Sequence, residues 1–294
     1  MKKKQSLLVI GCYGFLGSNI VNRFRQYYDI TGIDKSRERK TYDIKYFEVD
    51  VTNKMDIKTF LTNNKFDIVL HCAAIVDVDF CELNFQQAWE VNALGTKNVV
   101  EGFNGLFIYI STDMLFNGIK GEYSEIDIPN PINNYGKTKL EGENFVRQYS
   151  KNHLILRTNF FGWNHYSDKQ TFVEWIYNSL KNGEEISLFY DYIFCPIFIY
   201  DFIDIISSLI NSEVRGTYNV VGKNAISKLD FGEMIADKFN LDKNMIKRVS
   251  IKDHNFIAKR PHNMSLKTTK LSKHNIHIPT IDVGIDHLFT DFDN

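Results

Sequence analysis

The sequence holds few of the features that would indicate a disulfide scaffold or a metal centre. Its 294 residues include four cysteines, Cys12, Cys72, Cys81 and Cys195, and no two of them have C-x-x-C spacing. We therefore expect reduced, buried or half-buried thiols in a cytoplasmic protein. The adjacent His71 and Cys72 are interpreted as the end of a strand and not as a pair of ligands, so no metal site is expected.

Charge and hydropathy argue against two further classes of protein. Lysine plus arginine (35) nearly balance aspartate plus glutamate (36), and the net charge is −1. The short run Lys2–Lys4 is typical of a solvated terminus, so no nucleic-acid partner is expected. No apolar run approaches the roughly 20 residues that a membrane-spanning helix requires, and the segment after Met1 lacks the apolar core of a secretion signal. We expect no membrane partner.

A glycine-rich turn near the start of the chain joins an apolar strand to an amphipathic helix. Leu7–Ile10 is the apolar run of a buried parallel strand, and Gly11, Gly14 and Gly17 follow at three-residue spacing. A helix that begins at such a turn offers unpaired N–H groups and a positive dipole end to a pyrophosphate. We expect a tight turn at Gly11, backbone approach to the phosphates at Gly14 and close helix–strand packing at Gly17. The sequence therefore predicts a dinucleotide site.

An acidic residue at the end of the second predicted strand supports that site and bears on the choice of cofactor. Asp34 closes the strand Asp29–Ile33 and lies 20 residues beyond the second glycine of the turn. A carboxylate there accepts hydrogen bonds from the adenosine ribose and repels a 2′-phosphate, which favours NAD; a helix cap is the simpler alternative for Asp34. Lys35, Arg37 and Arg39 follow and offer cations to a 2′-phosphate, so the preference for NAD over NADP is slight.

Three further segments are expected near the cofactor. Asp50 and Val51 follow the third predicted strand, where Asp50 either accepts from the adenine amino group or caps the next helix. The small residues of Cys72–Ala74, after the fourth strand, leave room for a cofactor to pass over the sheet. Asn92 lies within the helical pattern of Asn84–Phe103, where a polar side chain either faces solvent or holds a buried water or a backbone carbonyl.

A hydroxyl pair and a Tyr/Lys pair are expected at the same edge of the sheet. Ser111–Asp113 ends the fifth strand, and Tyr135 and Lys139 are four residues apart on one face of the following helix. A second pair with this spacing, Tyr177 and Lys181, is interpreted as a solvated helix face. Only the first pair follows both a cofactor turn and a strand that ends in hydroxyls.

Four motifs together carry a resemblance to a known family. They are Gly-x-x-Gly-Phe-Leu-Gly from Gly11, Ser-Thr-Asp-Met-Leu-Phe-Asn-Gly from Ser111, Tyr-Gly-Lys-Thr-Lys-Leu-Glu-Gly-Glu from Tyr135, and Arg-Pro-His-Asn from Arg260. With these motifs the chain resembles the extended short-chain dehydrogenase/reductases, and within them the dTDP-4-dehydrorhamnose reductase group. The resemblance spans about Leu8–Leu271, and it implies NAD or NADP, a nucleotide-sugar substrate, a cytoplasmic location and a homodimer.

Roles carried over from the family fall on five residues. The resemblance implies Thr112 as the catalytic hydroxyl, Tyr135 as the proton donor and Lys139 as the catalytic lysine. Asn92 matches an asparagine linked to a proton relay, and Arg260 matches an arginine near the nucleotide-sugar pocket.

Two departures from the wider family favour a reductase. Relatives that dehydrate nucleotide sugars have Glu directly after Thr-Asp, where this chain has Met114. Epimerases that act before reduction often supply a Cys, and Ser111–Asp113 contains none. The alternatives are a nucleotide-sugar epimerase or another sugar-nucleotide oxidoreductase with tightly bound NAD, and a non-catalytic regulatory subunit on the same fold.

The expected reaction is reduction of a 4-keto-6-deoxy nucleotide sugar. The nicotinamide gives hydride, Tyr135 gives the proton, and the nearby ammonium of Lys139 lowers the pKa of the phenol from about 10 towards neutral. Thr112 would hold the substrate oxygen.

The predicted fold class is α/β, a Rossmann-type doubly wound parallel sheet with a smaller C-terminal substrate-binding lobe. We expect residues 1–160 to form the NAD(P)-binding domain with the Tyr/Lys helix, and residues 161–294 to be mainly the substrate lobe, interleaved with the last strands. The residues expected to bind the cofactor are Gly11, Tyr13, Gly14, Phe15, Leu16, Gly17, Asp34, Lys35, Asp50, Val51, Cys72, Ala73, Ala74, Asn92, Tyr135 and Lys139. The residues expected to bind the substrate are Ser111, Thr112, Asp113, Asn159 and Arg260.

Overall fold

The computed structural model of the protein describes residues 4–35, 44–164 and 169–292. The elements up to the Tyr/Lys helix are β1 (Ser6–Ile10), α1 (Phe15–Phe24), β2 (Asp29–Asp34), β3 (Lys45–Glu48), α2 (Lys54–Asn63), β4 (Ile68–His71), α3 (Val78–Leu83), α4 (Phe85–Trp89), a π-helix (Glu90–Gly95), α5 (Thr96–Glu101), β5 (Leu106–Thr112), a 3-10 turn (Asp113–Leu115) and α6 (Asn134–Tyr149). The elements after it are β6 (His153–Thr158), β7 (Phe160–Phe161), α7 (Phe172–Lys181), β8 (Ile186–Phe189), β9 (Ile193–Phe194), β10 (Ile197–Phe198), α8 (Ile199–Asn211), β11 (Gly216–Asn219), β12 (Ile226–Ser227), α9 (Lys228–Lys238), β13 (Ile246–Val249), α10 (Thr269–Ser272) and α11 (Ile281–Phe292), with 3-10 turns at Lys243–Met245 and Ile251–Asp253.

A seven-stranded parallel sheet in the order β11-β6-β5-β4-β1-β2-β3 is the central element. Side chains alternate between the two faces of a strand, and Leu7, Leu8, Val9 and Ile10 of β1 are all buried, so β1 is covered on both faces. On one face, residues of α2, α5 and α6 pack in the same core cluster as Leu8. The predicted α/β, Rossmann-type doubly wound sheet is confirmed.

The chain divides into two compact units. The first contains the described residues up to Leu115 together with Asn133–Leu156 and Glu213–Thr217. The second contains Phe116–Ile132, Arg157–Ser212 and the described residues from Tyr218 onward. The glycine turn and the Thr112, Tyr135 and Lys139 positions therefore belong to the first unit.

The second unit holds an aromatic cluster that anchors the last helix. The indole N–H of Trp163 donates to the carbonyl of Leu288 in α11 over 3.0 Å, and the rings of Tyr177, Phe239 and Phe292 surround the indole at 5.1 to 5.6 Å. The sequence pattern of residues 276–292 is weak, yet Ile281–Phe292 is helical because one apolar face, including Ile285 and Leu288, is buried. Among the described residues, no helix has the length and apolar character needed to cross a bilayer.

Candidate active site

The glycine turn has the geometry that the spacing predicts. Gly11 has a φ of +78°, and a Cβ atom there would lie 2.8 Å from the backbone nitrogen of Ala73, after β4. A Cβ on Gly17 would lie 2.1 Å from the carbonyl oxygen of Gly11, which confirms the close packing of α1 on the turn. Gly14 is exposed, is the N-cap residue of α1 and provides no side-chain cap, so the first turn of the helix is open to an anion.

The closeness of Gly17 to the turn gives a prediction about stability and cofactor binding. We expect Gly17→Ala to lower the free energy of unfolding by about 1–3 kcal/mol, because backbone atoms must move to accept the methyl group, and to weaken binding of NADPH. Gly102→Ala is the matched control, since its Cβ would lie 3.5 Å from Leu61 in ordinary contact. Urea unfolding and NADPH titration of both variants test this. Equal effects of the two substitutions would contradict it.

Asp34 is joined to the glycine turn. One carboxylate oxygen accepts from the N–H of Tyr13 over 3.1 Å, and the other accepts from the N–H of Lys35 over 2.8 Å. The ring of Tyr13 lies 5.0 Å from that of Tyr46 in β3. Burial and the Asp34 carboxylate raise the pKa of the neighbouring Cys12 thiol to about 12. Asp34 is thus held at the turn, where a ribose ligand is expected.

Lys35, Arg37 and Arg39 are the cations that we expect at a 2′-phosphate. Lys35 is exposed. Arg37 and Arg39 lie outside the described residues.

The capping interpretation of Asp50 is wrong. Asn53 is the N-cap of α2 and accepts from the N–H groups of Met55 and Asp56. The carboxylate of the exposed Asp50 accepts instead from the N–H and the hydroxyl of Thr52, each over 2.8 Å. Its predicted contact with adenine stays a prediction.

The cofactor positions near the sheet differ in burial. Val51 belongs to the buried core cluster, so its side chain serves packing. Leu16 is buried as well, whereas Phe15, Cys72, Ala73 and Ala74 are half-buried.

Asn92 holds backbone groups, as one of its two interpretations predicts. The side chain is fully buried and lies in the π-helix Glu90–Gly95. Its amide oxygen accepts from the N–H of Ile75 over 2.8 Å, and its amide nitrogen donates to the carbonyl of Ile75 and to the hydroxyl of Thr138. The hydroxyl of Thr138 donates in turn to the carbonyl of Tyr135. Asn92 therefore links the segment after β4 to the helix that carries Tyr135.

Two side chains that the sequence interpretation missed fix the start of α6. Asn133 is the N-cap and accepts from the N–H of Gly136 over 2.8 Å. Glu82, in α3, accepts from the N–H of Asn134 over 2.9 Å. Carboxylates and amide oxygens at these positions satisfy the unpaired N–H groups of the first turn. Tyr135 is the second residue of the helix thus fixed.

Thr112 and Tyr135 are brought together. Both side chains are buried. Burial raises the pKa of the Tyr135 phenol, and the neighbouring Thr112 opposes that rise. Burial has the larger effect and the Asp113 carboxylate acts in the same direction, so the pKa lies well above its ordinary value. The hydroxyl of Thr112 also donates to Asp113 over 3.1 Å and accepts from the N–H of Met114 over 3.2 Å. At neutral pH Tyr135 holds its proton.

Lys139 does not have the expected effect on Tyr135. In the described part of the chain, the groups that shift the pKa of Tyr135 are Thr112, Asp113 and Cys81 besides burial, and Lys139 is not among them. The Lys139 ammonium instead lies 4.2 Å from the ring centre of Tyr109, in β5. Burial lowers the pKa of Lys139 itself to about 7. The expected depression of the phenol pKa by this lysine is therefore wrong for the structure described.

The second Tyr/Lys pair differs from its expected role in part. Lys181 is exposed and donates to the hydroxyl of Tyr177 over 3.2 Å. Tyr177 is half-buried in the aromatic cluster, with its ring 5.6 Å from that of Trp163. Only the lysine lies on a solvated face.

The remaining predicted site residues lie in several places. Ser111 is buried, and its hydroxyl has no hydrogen-bond partner among the described residues. Asn159 and Arg260 belong to the second unit, where the Arg260 guanidinium donates to the carbonyl of Ala258 and lies 5.1 Å from the ring centre of Phe256. The described residues contain no group of three or more His, Cys, Asp or Glu side chains with the geometry of a metal site. His71 ends β4, as expected.

Known proteins resemble the chain over nearly its whole length. Residues 5–294 match the family described as RmlD substrate binding domain. The probable low-salt glycan biosynthesis reductase Agl14 of Haloferax volcanii is 33% identical over 90% of each chain. The dTDP-4-dehydrorhamnose reductase of Aggregatibacter actinomycetemcomitans is 29% identical over 91% of this chain and 92% of the relative.

A solved structure agrees with these sequence comparisons. The dTDP-4-dehydrorhamnose reductase of Bacillus anthracis in complex with NADP superposes with a TM-score of 0.89 and 28% identity, covering 98% of this chain and 99% of that one. The predicted resemblance to the dTDP-4-dehydrorhamnose reductase group is confirmed.

Proposed function

The chain belongs to the RmlD substrate binding domain family and is an NAD(P)-dependent oxidoreductase of the extended short-chain dehydrogenase/reductase type, and from this premise we propose that it reduces the keto group of a 4-keto-6-deoxy nucleotide sugar. The observation that carries the proposal is the placement of two buried hydroxyl side chains, Thr112 at the end of β5 and Tyr135 in the first turn of α6, with Thr112 acting on the pKa of the phenol. It brings a protonated phenol and a second hydroxyl to the carboxyl end of β5, where open α/β sheets bind ligands.

The residues at the glycine turn fit a nicotinamide dinucleotide. Gly14 leaves the first turn of α1 open to a diphosphate, and Asp34, held beside Tyr13, offers a carboxylate to a ribose. When bound, the cofactor supplies the hydride. The proposed preference for NAD over NADP rests on Asp34, because a carboxylate repels a 2′-phosphate.

The proton chemistry belongs to the chain itself. Tyr135 gives its proton to the alkoxide that forms from the substrate keto group. Thr112 orients the substrate oxygen, and Lys139 binds the cofactor ribose. Met114 stands where dehydrating relatives have Glu, which favours net reduction over elimination of water.

The proposal also assigns a binding role to each of two segments of the chain and a homodimeric state to the protein. Residues 1–160 form the cofactor-binding domain, and residues 161–294 form mainly the substrate lobe. Arg260 of that lobe and Asn159, next to its boundary, bind the nucleotide sugar. The protein acts in the cytoplasm as a homodimer. Sedimentation analysis of the purified protein tests the oligomeric state.

One experiment separates this function from its alternatives. The protein is mixed with NADH or NADPH and a panel of 4-keto-6-deoxy nucleotide sugars, and cofactor absorbance is followed. We expect oxidation of the reduced cofactor with at least one sugar, and the ratio of the two cofactor rates tests the preference for NAD over NADP. A flat trace with the cofactor still bound, together with an altered sugar, would identify an epimerase. A flat trace with an unchanged sugar would favour a regulatory subunit.

A further inference from the structure

The side chain of Lys139 is buried against the ring of Tyr109. Lys139 is 3% exposed, and its ammonium lies 4.2 Å from the ring centre of Tyr109. The Tyr109 hydroxyl donates to the backbone carbonyl of Lys139 over 3.4 Å. A Cβ on Gly142 would lie 2.1 Å from that hydroxyl, so a glycine one turn further along α6 lets the tyrosine approach. The ring attracts the cation through its face, yet it carries no negative charge.

A buried carboxylate stands one helical turn beyond Lys139. Glu143 follows four residues later and therefore lies on the same face of α6. Its side chain is 0% exposed, and it accepts from the guanidinium of Arg147 over 2.5 Å. The Arg147 side chain is 38% exposed, so solvent screens its charge far more than that of the carboxylate.

Among the described residues, the other titratable groups that face Lys139 are neutral at physiological pH. From the end of β4 these are His71 and Cys72, and from β5 it is Tyr109. Burial and Lys139 lower the pKa of His71 to about 3. Burial raises the pKa of the Cys72 thiol and of the Tyr109 phenol. Of these neighbours, Glu143 is the one that brings a negative charge.

From this arrangement we propose that Glu143 is a positioning residue that favours the protonated form of Lys139 and holds its ammonium on the ring of Tyr109. A buried amine tends to lose its proton because burial disfavours the charged form, and a carboxylate one turn away opposes that tendency. The expected effect on kcat rests on the proposed function, whereas the expected effect on the protonation of Lys139 does not.

The test compares Glu143→Gln with Glu141→Gln. Glu141 lies on the same helix, where it accepts from the side chain of Asn144 over 3.0 Å. The lysine side chains are isotope-labelled, the Lys139 signal is assigned by its loss in Lys139→Met, and its pKa is measured by NMR titration without substrate. We expect Glu143→Gln to lower the pKa of Lys139 by about one unit, and Glu141→Gln to leave it unchanged.

Two further measurements keep the inference falsifiable. If Glu143→Gln unfolds, the double variant Glu143→Gln/Arg147→Gln removes both charges and is titrated instead, with a lowered Lys139 pKa expected again. An unchanged Lys139 pKa in the folded variant overturns the inference. A lowered pKa with no matching shift in the pH profile of kcat would leave Glu143 in its positioning role and refute the proposed part of Lys139 in the reaction.

Discussion

Replacing Tyr135 by phenylalanine is expected to lower kcat for reduction of the keto sugar by a factor of about 100 to 10,000, the usual contribution of a positioned proton donor. The substitution removes one oxygen and keeps a ring that packs against Cys81 and Ala88. Thr112 retains its bonds to Asp113 and to the N–H of Met114. Because the buried phenol holds its proton at neutral pH, the lost oxygen is the one that would protonate the alkoxide.

The control for this variant is the second Tyr/Lys pair. Tyr177→Phe also removes a hydroxyl that contacts a lysine four residues on, over 3.2 Å, and Tyr177 is not among the residues assigned to the cofactor, the sugar or the reaction. Single-turnover oxidation of the reduced cofactor is compared for both variants, and cofactor affinity is titrated in parallel. We expect Tyr177→Phe to react at the parent rate and Tyr135→Phe to bind cofactor with little change. Parent-rate turnover by Tyr135→Phe would refute the assignment of the proton donor.

Features that depend on neighbouring residues were predictable from the sequence. The glycine turn is one, because φ at Gly11 and the space at Gly17 are set within a few residues of the chain. The parallel sheet is another, since a run of apolar residues such as Leu7–Ile10 requires cover on both faces. The order of strand, hydroxyl pair and Tyr/Lys helix then places Thr112 and Tyr135 at one edge of the sheet.

Features that depend on distant residues were not predictable in this way. Glu82 reaches the first N–H of α6 across 52 positions, and the amide of Asn92 reaches Thr138 across 46. Asp and Asn are both common N-cap residues, so the sequence offers Asp50 and Asn53 as caps of α2. The structure shows that Asn53 is the cap. The contact between the Lys139 ammonium and the Tyr109 ring is a further case, because it depends on how closely α6 approaches β5. No spacing rule along the chain encodes these contacts.

Replacing Lys139 by methionine is the second substitution with a large expected effect. Methionine keeps most of the length and the apolar stem but removes the ammonium. If this ammonium binds the cofactor ribose and so positions the nicotinamide for hydride transfer, kcat falls by a factor of about 100 or more. Lys137→Met is the control, because Lys137 is exposed on the same helix and donates to Asn134 over 3.2 Å. Parent-rate turnover by Lys139→Met would remove this lysine from the mechanism.

The same pair of variants tests the protonation of the buried amine through stability. The pKa of Lys139 is about 7 in the folded protein and about 10.4 in an unfolded chain. Between these values the unfolded chain binds a proton that the folded protein does not, so the free energy of unfolding rises with pH across this window. The rise is absent in Lys139→Met, which is expected to exceed the parent in stability near neutral pH and to approach it near about pH 10. Urea unfolding at several pH values measures both curves. Parallel curves for the parent and Lys139→Met, with Lys137→Met also parallel, would show that Lys139 titrates as it does in water.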